Sequence, residues 1–191
     1  MICGDLDTNI CNLLNENSIY FGAAALHSAL FFLALLFLWE KDLQTTLKKL
    51  AFPGDIQRNL ILSGAGFILV IFVLLFLGVV ATLTGFNDQE AVYEKVADLP
   101  VYILLFAIFL APITEELFFR ALLVPRIGII FSAILFGLMH VSYGSVIEIV
   151  GAGLIGVVLA IMFRISKSIT PCIIIHVTYN LFSIIVMRFL I

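Results

Sequence analysis

Charge is scarce in this chain. Asp, Glu, Lys and Arg make up 12% of its 191 residues, about half the share of a soluble domain, while 63% are hydrophobic. Cysteine is scarce as well: Cys3, Cys11 and Cys172 form no C-x-x-C pair, and their odd number argues against a disulfide framework. Cys3 and Cys11 lie close enough in the sequence to pair with one another, whereas Cys172 sits in an apolar run and reads as a small core residue. Basic runs interleaved with aromatics are missing, which argues against a nucleic-acid partner. A basic leader followed by a short apolar stretch and a cleavage site is missing from "MICGDLDTNICNLLNENSIY", so the first apolar run is expected to be a retained helix. Neither an internal repeat nor a pair of inverted halves is evident, and the largest polar segment, residues 40–59, is too short for a soluble domain.

Long apolar runs are what the chain has. A bilayer core about 30 Å thick is crossed by roughly 20 apolar residues in a helix. By that rule the sequence predicts an all-α, polytopic transmembrane bundle of about six helices, near residues 19–39, 60–84, 100–122, 127–144, 146–164 and 169–191. The organisation is then a polar tail over 1–18, two N-terminal transmembrane helices with their loops over 19–99, and a core of four transmembrane helices over 100–191. Lys41, Lys48, Lys49, Arg58, Arg126, Arg164 and Lys167 fall on alternate connections, with Arg120 either beside them or buried at the end of the third span, against Lys95 and Arg188 on the others. The excess of Lys and Arg assigns the first set to the cytoplasm and both termini to the outside. The 40–59 connection, entered at Trp39, mixes Lys and Leu as an interfacial amphipathic stretch does.

A charged group at membrane depth costs about 2.5–3.5 kcal/mol or more, so each one asks for a function. "ITEELFFR" places Glu115, Glu116 and Arg120 inside the third span; "FGLMH" places His140 in the fourth; "HVTYN" places His176 and Asn180 in the sixth. Glu116 and Arg120, Phe136 and His140, and His176 and Asn180 are each spaced i, i+4 and share a helical face. A rise of about 1.5 Å per residue puts Glu115 at a depth of about 10 Å, His176 at 11 Å, Asn180 at 17 Å and His140 at 20 Å, all in the hydrocarbon and biased to the cytoplasmic half. A kink at Pro112 is expected to close the remaining offset.

Plainer readings stand beside these. Glu116 with Arg120 makes a structural ion pair, Asn180 bonds a neighbouring helix, and His27, alone in the first span, reads as a helix-to-helix hydrogen bonder. Glu148 is expected at the interface. Residues 151–156, "GAGLIG", match a dinucleotide fingerprint letter for letter, but inside an apolar span they are better read as small residues that let two helices approach.

The chemistry this set permits is hydrolysis. One carboxylate is kept ionised by Arg120 while its neighbour acts as a general base, a histidine helps to hold a water, and a His–Asn pair stabilises an oxyanion. No serine nucleophile stands beside a base. A Cys172–His176 pair is conceivable at i, i+4 but leaves the two glutamates unexplained. The residues also admit a catalytic zinc, which Glu115, His140 and His176 would hold. Two other classes compete with hydrolysis: a non-catalytic membrane scaffold or bacteriocin-immunity protein, and a small transporter using Glu115 and Glu116 as a proton relay. The transporter would be expected to show inverted repeats.

The ordered set Glu115-Glu116-Leu-Phe-Phe-Arg120, Phe136-Gly-Leu-Met-His140 and His176-Val-Thr-Tyr-Asn180 resembles the CAAX-processing and bacteriocin-processing family of membrane proteases, also called the abortive-infection family. The resemblance covers residues from about 100 to 185. It implies an integral membrane endopeptidase with a site open toward the cytoplasm, of the glutamate type without a cofactor or, as members of the family have also been labelled, a metalloprotease holding zinc. Its partners would be the bilayer and a peptide or lipidated protein. Glu115 would activate water with help from His140, Glu116 and Arg120 would orient the site, and His176 with Asn180 would form the oxyanion pocket. At 191 residues the chain is short for a full CAAX protease.

Overall fold

The computed structural model describes residues 8–50, 52–97 and 99–189, and among these every regular element is helical. Helix α1 spans Thr8–Leu38, α2 Leu43–Lys49, α3 Ile56–Thr84 and α4 Glu90–Ala97. A longer run begins with α5 (Val101–Leu105), widens into a π-helix over Phe106–Leu110 and returns to α geometry in α6 (Ala111–Glu115). It widens again over Glu116–Leu123 and continues as α7 (Val124–Leu138). Helices α8 (Val146–Ser166) and α9 (Thr170–Phe189) complete the bundle. Part of the expected 1–18 tail is therefore helical, since α1 extends back to Thr8. The pairing of Cys3 with Cys11 lies outside the described residues.

Among the described residues five helical runs are long and apolar enough to cross a membrane, where six spans were expected. The difference lies in residues 101–143, one run by length and two limbs by geometry. Forty-three residues of straight helix would be about 65 Å long, twice the bilayer core. The run breaks at Gly128, whose φ of 83° and ψ of 175° are closed to most side chains. It then doubles back. The Ser132 hydroxyl donates to the Phe119 carbonyl at 2.9 Å, although 13 residues of straight helix would separate them by about 20 Å. The rings of Phe119 and Phe136 meet at 5.1 Å.

Bonds between loops sort the connections into two faces. On one, Ile169 N–H donates to the Leu50 carbonyl, Thr170 Oγ1 to Pro53, Arg58 to Ile165 and Arg164 to Val124. On the other, Asp88 accepts from the Ser145 hydroxyl at 2.7 Å and from the main chain of Val146, capping α8 from a distant loop. Lys95 there reaches the Ser142 carbonyl and Arg188 that of Leu99. Connections that alternate along the sequence thus meet at the same end of the bundle, as a chain folding up and down requires.

Packing explains the small residues. The α3, α8 and α9 helices share a core of Val70, Ile155, Leu159, Met162, Cys172 and Ile175, where the Cys172 thiol sits against the Leu159 carbonyl. Helices α7 and α8 touch through "GAGLIG" and its opposite number. A methyl group added at Gly137 would stand 2.7 Å from the Ile149 carbonyl and 3.2 Å from the Gly153 backbone. At Gly156 it would stand 3.2 Å from the Ala133 backbone. The fingerprint is therefore a helix-packing surface. Aliphatic and aromatic side chains such as Phe32, Phe72, Leu83 and Phe131 point outward, as in a protein solvated by lipid.

Gly137→Ala should lower the unfolding free energy in mixed micelles by about 1–3 kcal/mol, because rigid backbone must move apart. Gly64→Ala, where nothing lies within 4 Å, should change it by no more than about 1 kcal/mol. Equal effects at the two positions would refute the close α7–α8 contact.

Candidate active site

The two glutamates of the third span have different surroundings. Glu116 is fully buried and Arg120 nearly so. Arg120 Nε stands 3.1 Å from Glu116 Oε2, but the alignment is too poor for a hydrogen bond, so the attraction is coulombic. The guanidinium lies over the face of Phe136, 4.3 Å from the ring centroid. Arginine cannot shed its proton, so the buried cation has Glu116 as its counter-charge. The other oxygen of Glu116 meets His176 Nδ1 at 2.8 Å.

Glu115 faces a cavity of about 210 Å³, which His27, His140, His176 and Asn180 also line. Its Oε2 is 3.7 Å from His176 Nε2, and its Oε1 is 3.6 Å from His27 Nε2. Both gaps exceed a hydrogen bond. His140 lines the same space without making an ion pair with Glu115; its Nδ1 lies 2.9 Å from the Phe136 carbonyl. The ring of Phe136 packs at 5.1 Å from His140 and 5.7 Å from His176, so this one residue spaces both imidazoles and supports Arg120.

The hydrogen-bond partners fix all three imidazoles in the same tautomer. A carbonyl or carboxylate only accepts, so His140 donates Nδ1–H to Phe136 and His176 donates Nδ1–H to Glu116. The Thr114 hydroxyl donates to the Ala111 carbonyl at 2.9 Å, which leaves it an acceptor for His27 Nδ1–H at 2.8 Å. Each neutral ring therefore has a bare Nε2. As a neutral imidazole, His140 accepts a hydrogen bond there.

Asn180 is held by a defect in the facing helix. The Ala111 N–H reaches back to Phe106 across the π turn, and Pro112 has no N–H to give. The Ala107 carbonyl is thus left without a main-chain donor, and Asn180 Nδ2 supplies one at 2.8 Å. One N–H of the amide is committed to this bond.

Glu115, His140, His176 and Asn180 thus come together around one cavity, with Glu116 and Arg120 behind it. His27 is the helix-to-helix hydrogen bonder expected of it, tied to Thr114, and it also stands in the cavity wall. A zinc held by Glu115, His140 and His176 does not fit this arrangement: among the described residues no three His, Cys, Asp or Glu side chains converge as a metal site. Cys172 faces Leu159 in the core.

Residues 97–182, rather less than half of the chain, match the family described as type II CAAX prenyl endopeptidase Rce1-like. The match bears out the resemblance carried by the three motifs, all of which fall within it. No curated protein and no solved structure matches the chain.

The burial of Arg120 with Glu116 gives a stability prediction. Arg120→Met should lower the unfolding free energy by about 3–5 kcal/mol, because it leaves a buried carboxylate without its counter-charge. Adding Glu116→Gln should recover much of that loss. Independent, additive losses in the double variant would show that the pair is not coupled.

Proposed function

We propose that the protein is a membrane-embedded endopeptidase of the CAAX-protease type, cleaving a peptide bond of a membrane-associated substrate with Glu115 as general base. The observation that carries this reading is the convergence of Glu115, His140, His176 and Asn180, drawn from three transmembrane limbs, on one cavity. The family match supports the reaction class.

In this reading Glu115 takes a proton from water, and the resulting hydroxide oxygen bonds to the scissile carbonyl carbon. His140 Nε2, a bare acceptor, holds the second hydrogen of that water. The carbonyl becomes a tetrahedral oxyanion next to the remaining N–H of Asn180, on the side of the cavity that His176 walls. The oxyanion then collapses, the C–N bond breaks, and the amine leaves with the proton that Glu115 had taken. Glu116 and Arg120 set the orientation of His176 from behind. No step needs a metal.

A groove of about 890 Å³ between α3, α4 and α9 supports a substrate with a long apolar portion. It runs alongside the site cavity and shares Glu148, Tyr179 and Ser183 with it. Its largely apolar lining supports a lipidated peptide as the substrate. The Lys and Arg excess supports an orientation with both termini outside; the cavity is walled toward that same side by Val92, Val96, Leu99 and Tyr143, so in this orientation it faces away from the basic connections.

The test is cleavage of a farnesylated, membrane-tethered peptide in proteoliposomes, beside its non-prenylated counterpart. Glu115→Gln, shown to be folded and inserted, should reduce cleavage by about 10²–10⁴-fold. Stringent chelation should leave the rate unchanged. Near-normal cleavage by Glu115→Gln would overturn its role, and activity lost on chelation and restored by zinc would replace the mechanism with a metal-dependent one.

A further inference from the structure

Helix α1 lies outside the family-matched region, yet it sends one polar side chain into the site. His27 has little exposed surface and three independent constraints. Its Nδ1–H donates to Thr114, the residue next to Glu115. Its ring stands edge-on to Phe106 at 5.1 Å. Its Nε2 faces Glu115 Oε1 at 3.6 Å, while His176 Nε2 faces the other oxygen at 3.7 Å. Thr114 cannot donate to His27, because its own hydrogen goes to the Ala111 carbonyl. The ring is thereby held with its lone pair toward the carboxyl.

We propose that His27 is a positioning residue of the site, fixing the Glu115 carboxyl between two imidazoles and offering an acceptor beside Oε1. A bare nitrogen beside a carboxylate oxygen makes a pair of acceptors, so His27 gives Glu115 no hydrogen and leaves Oε1 free for the water whose second hydrogen His140 holds. Glu115 alone would rotate about its side-chain torsions; clamped from α1 and α9, its two oxygens have distinct neighbours. Helix α1 is held against the hairpin by Leu30 packing with Phe119, Phe136 and Ala152, so the clamp is rigid on the α1 side. This role rests on the reading of Glu115 as the base, whereas the geometry of His27 does not.

Two measurements separate those parts. Nitrogen NMR of ¹⁵N-histidine-labelled protein in lipid nanodiscs at neutral pH, assigned by loss of signal in His27→Phe, reads the tautomer without any substrate. His27 should show Nδ1 protonated and Nε2 bare. Thr114→Val should shift its tautomer equilibrium while leaving His140 unchanged, and Glu115→Gln, which places an amide donor opposite Nε2, should shift the Nε2 resonance. A proton on Nε2, or signals indifferent to both substitutions, would overturn the proposal whatever the enzyme does. In the peptide-cleavage assay, His27→Phe should lower kcat by about 10–100-fold with KM within about twofold, as expected when transition-state positioning is lost. Thr114→Ser, which keeps the hydroxyl, should retain most activity and Thr114→Val should not. Unchanged kcat in His27→Phe would remove the positioning role. The expected NMR pattern in a protein that cleaves nothing would instead remove the protease reading and leave the geometry standing.

Discussion

A guanidinium buried among apolar helices needs a counter-charge, and most of this site is arranged by how that need is met. Arg120 cannot deprotonate, so Glu116 stands beside it as a carboxylate. Phe136 covers the cation's face, and the free oxygen of Glu116 fixes the Nδ1 proton of His176. Three helical limbs are joined in this way by one pair of charges: the limb carrying Glu116 and Arg120, α7 through Phe136, and α9 through His176. Glu115 is one residue along, so its direction into the cavity follows from Glu116 pointing away from it. Of two adjacent carboxyls, one is spent on structure and the other is left facing open space.

The parts of this arrangement that follow from local spacing were legible in the sequence. Glu116 and Arg120 at i, i+4 do meet, and His176 with Asn180 do line one side of a cavity. The long apolar runs gave the bundle, and alternating basic loops gave two sets of connections that the structure brings together at opposite ends. Reading 100–122 and 127–144 as separate spans anticipated the reversal that Gly128 makes in what is otherwise one helical run.

What could not be read is what depends on contacts far apart in sequence. His27 has Ala23 and Phe31 one turn away on either side, so nothing local marks it as more than a helix-to-helix hydrogen bonder. Its partner Thr114 is 87 positions distant. The π segments were hidden too, because a widened turn leaves no pattern of hydrophobicity. Each is followed closely by a proline, Pro112 or Pro125. The prolines are the local signal of these segments, and Pro112 by itself implies no more than a kink.

The Asn180 bond shows why stability and chemistry are hard to separate in such a chain. In lipid no solvent satisfies a stray main-chain group, and each one left alone costs several kcal/mol. A π turn followed by Pro112 therefore creates an obligation at Ala107, and the amide of Asn180 discharges it. That bond also sets where the other N–H of Asn180 points. An exchange of Pro112 for a residue with an N–H would satisfy Ala107 from its own helix and release Asn180 to rotate. The asymmetry of the amide in the cavity is thus imposed by a helix defect on the opposite wall. The sequence encodes a functional direction as a backbone requirement, so Asn180 is positioned by the carbonyl it satisfies on the opposite wall as much as by its own neighbours.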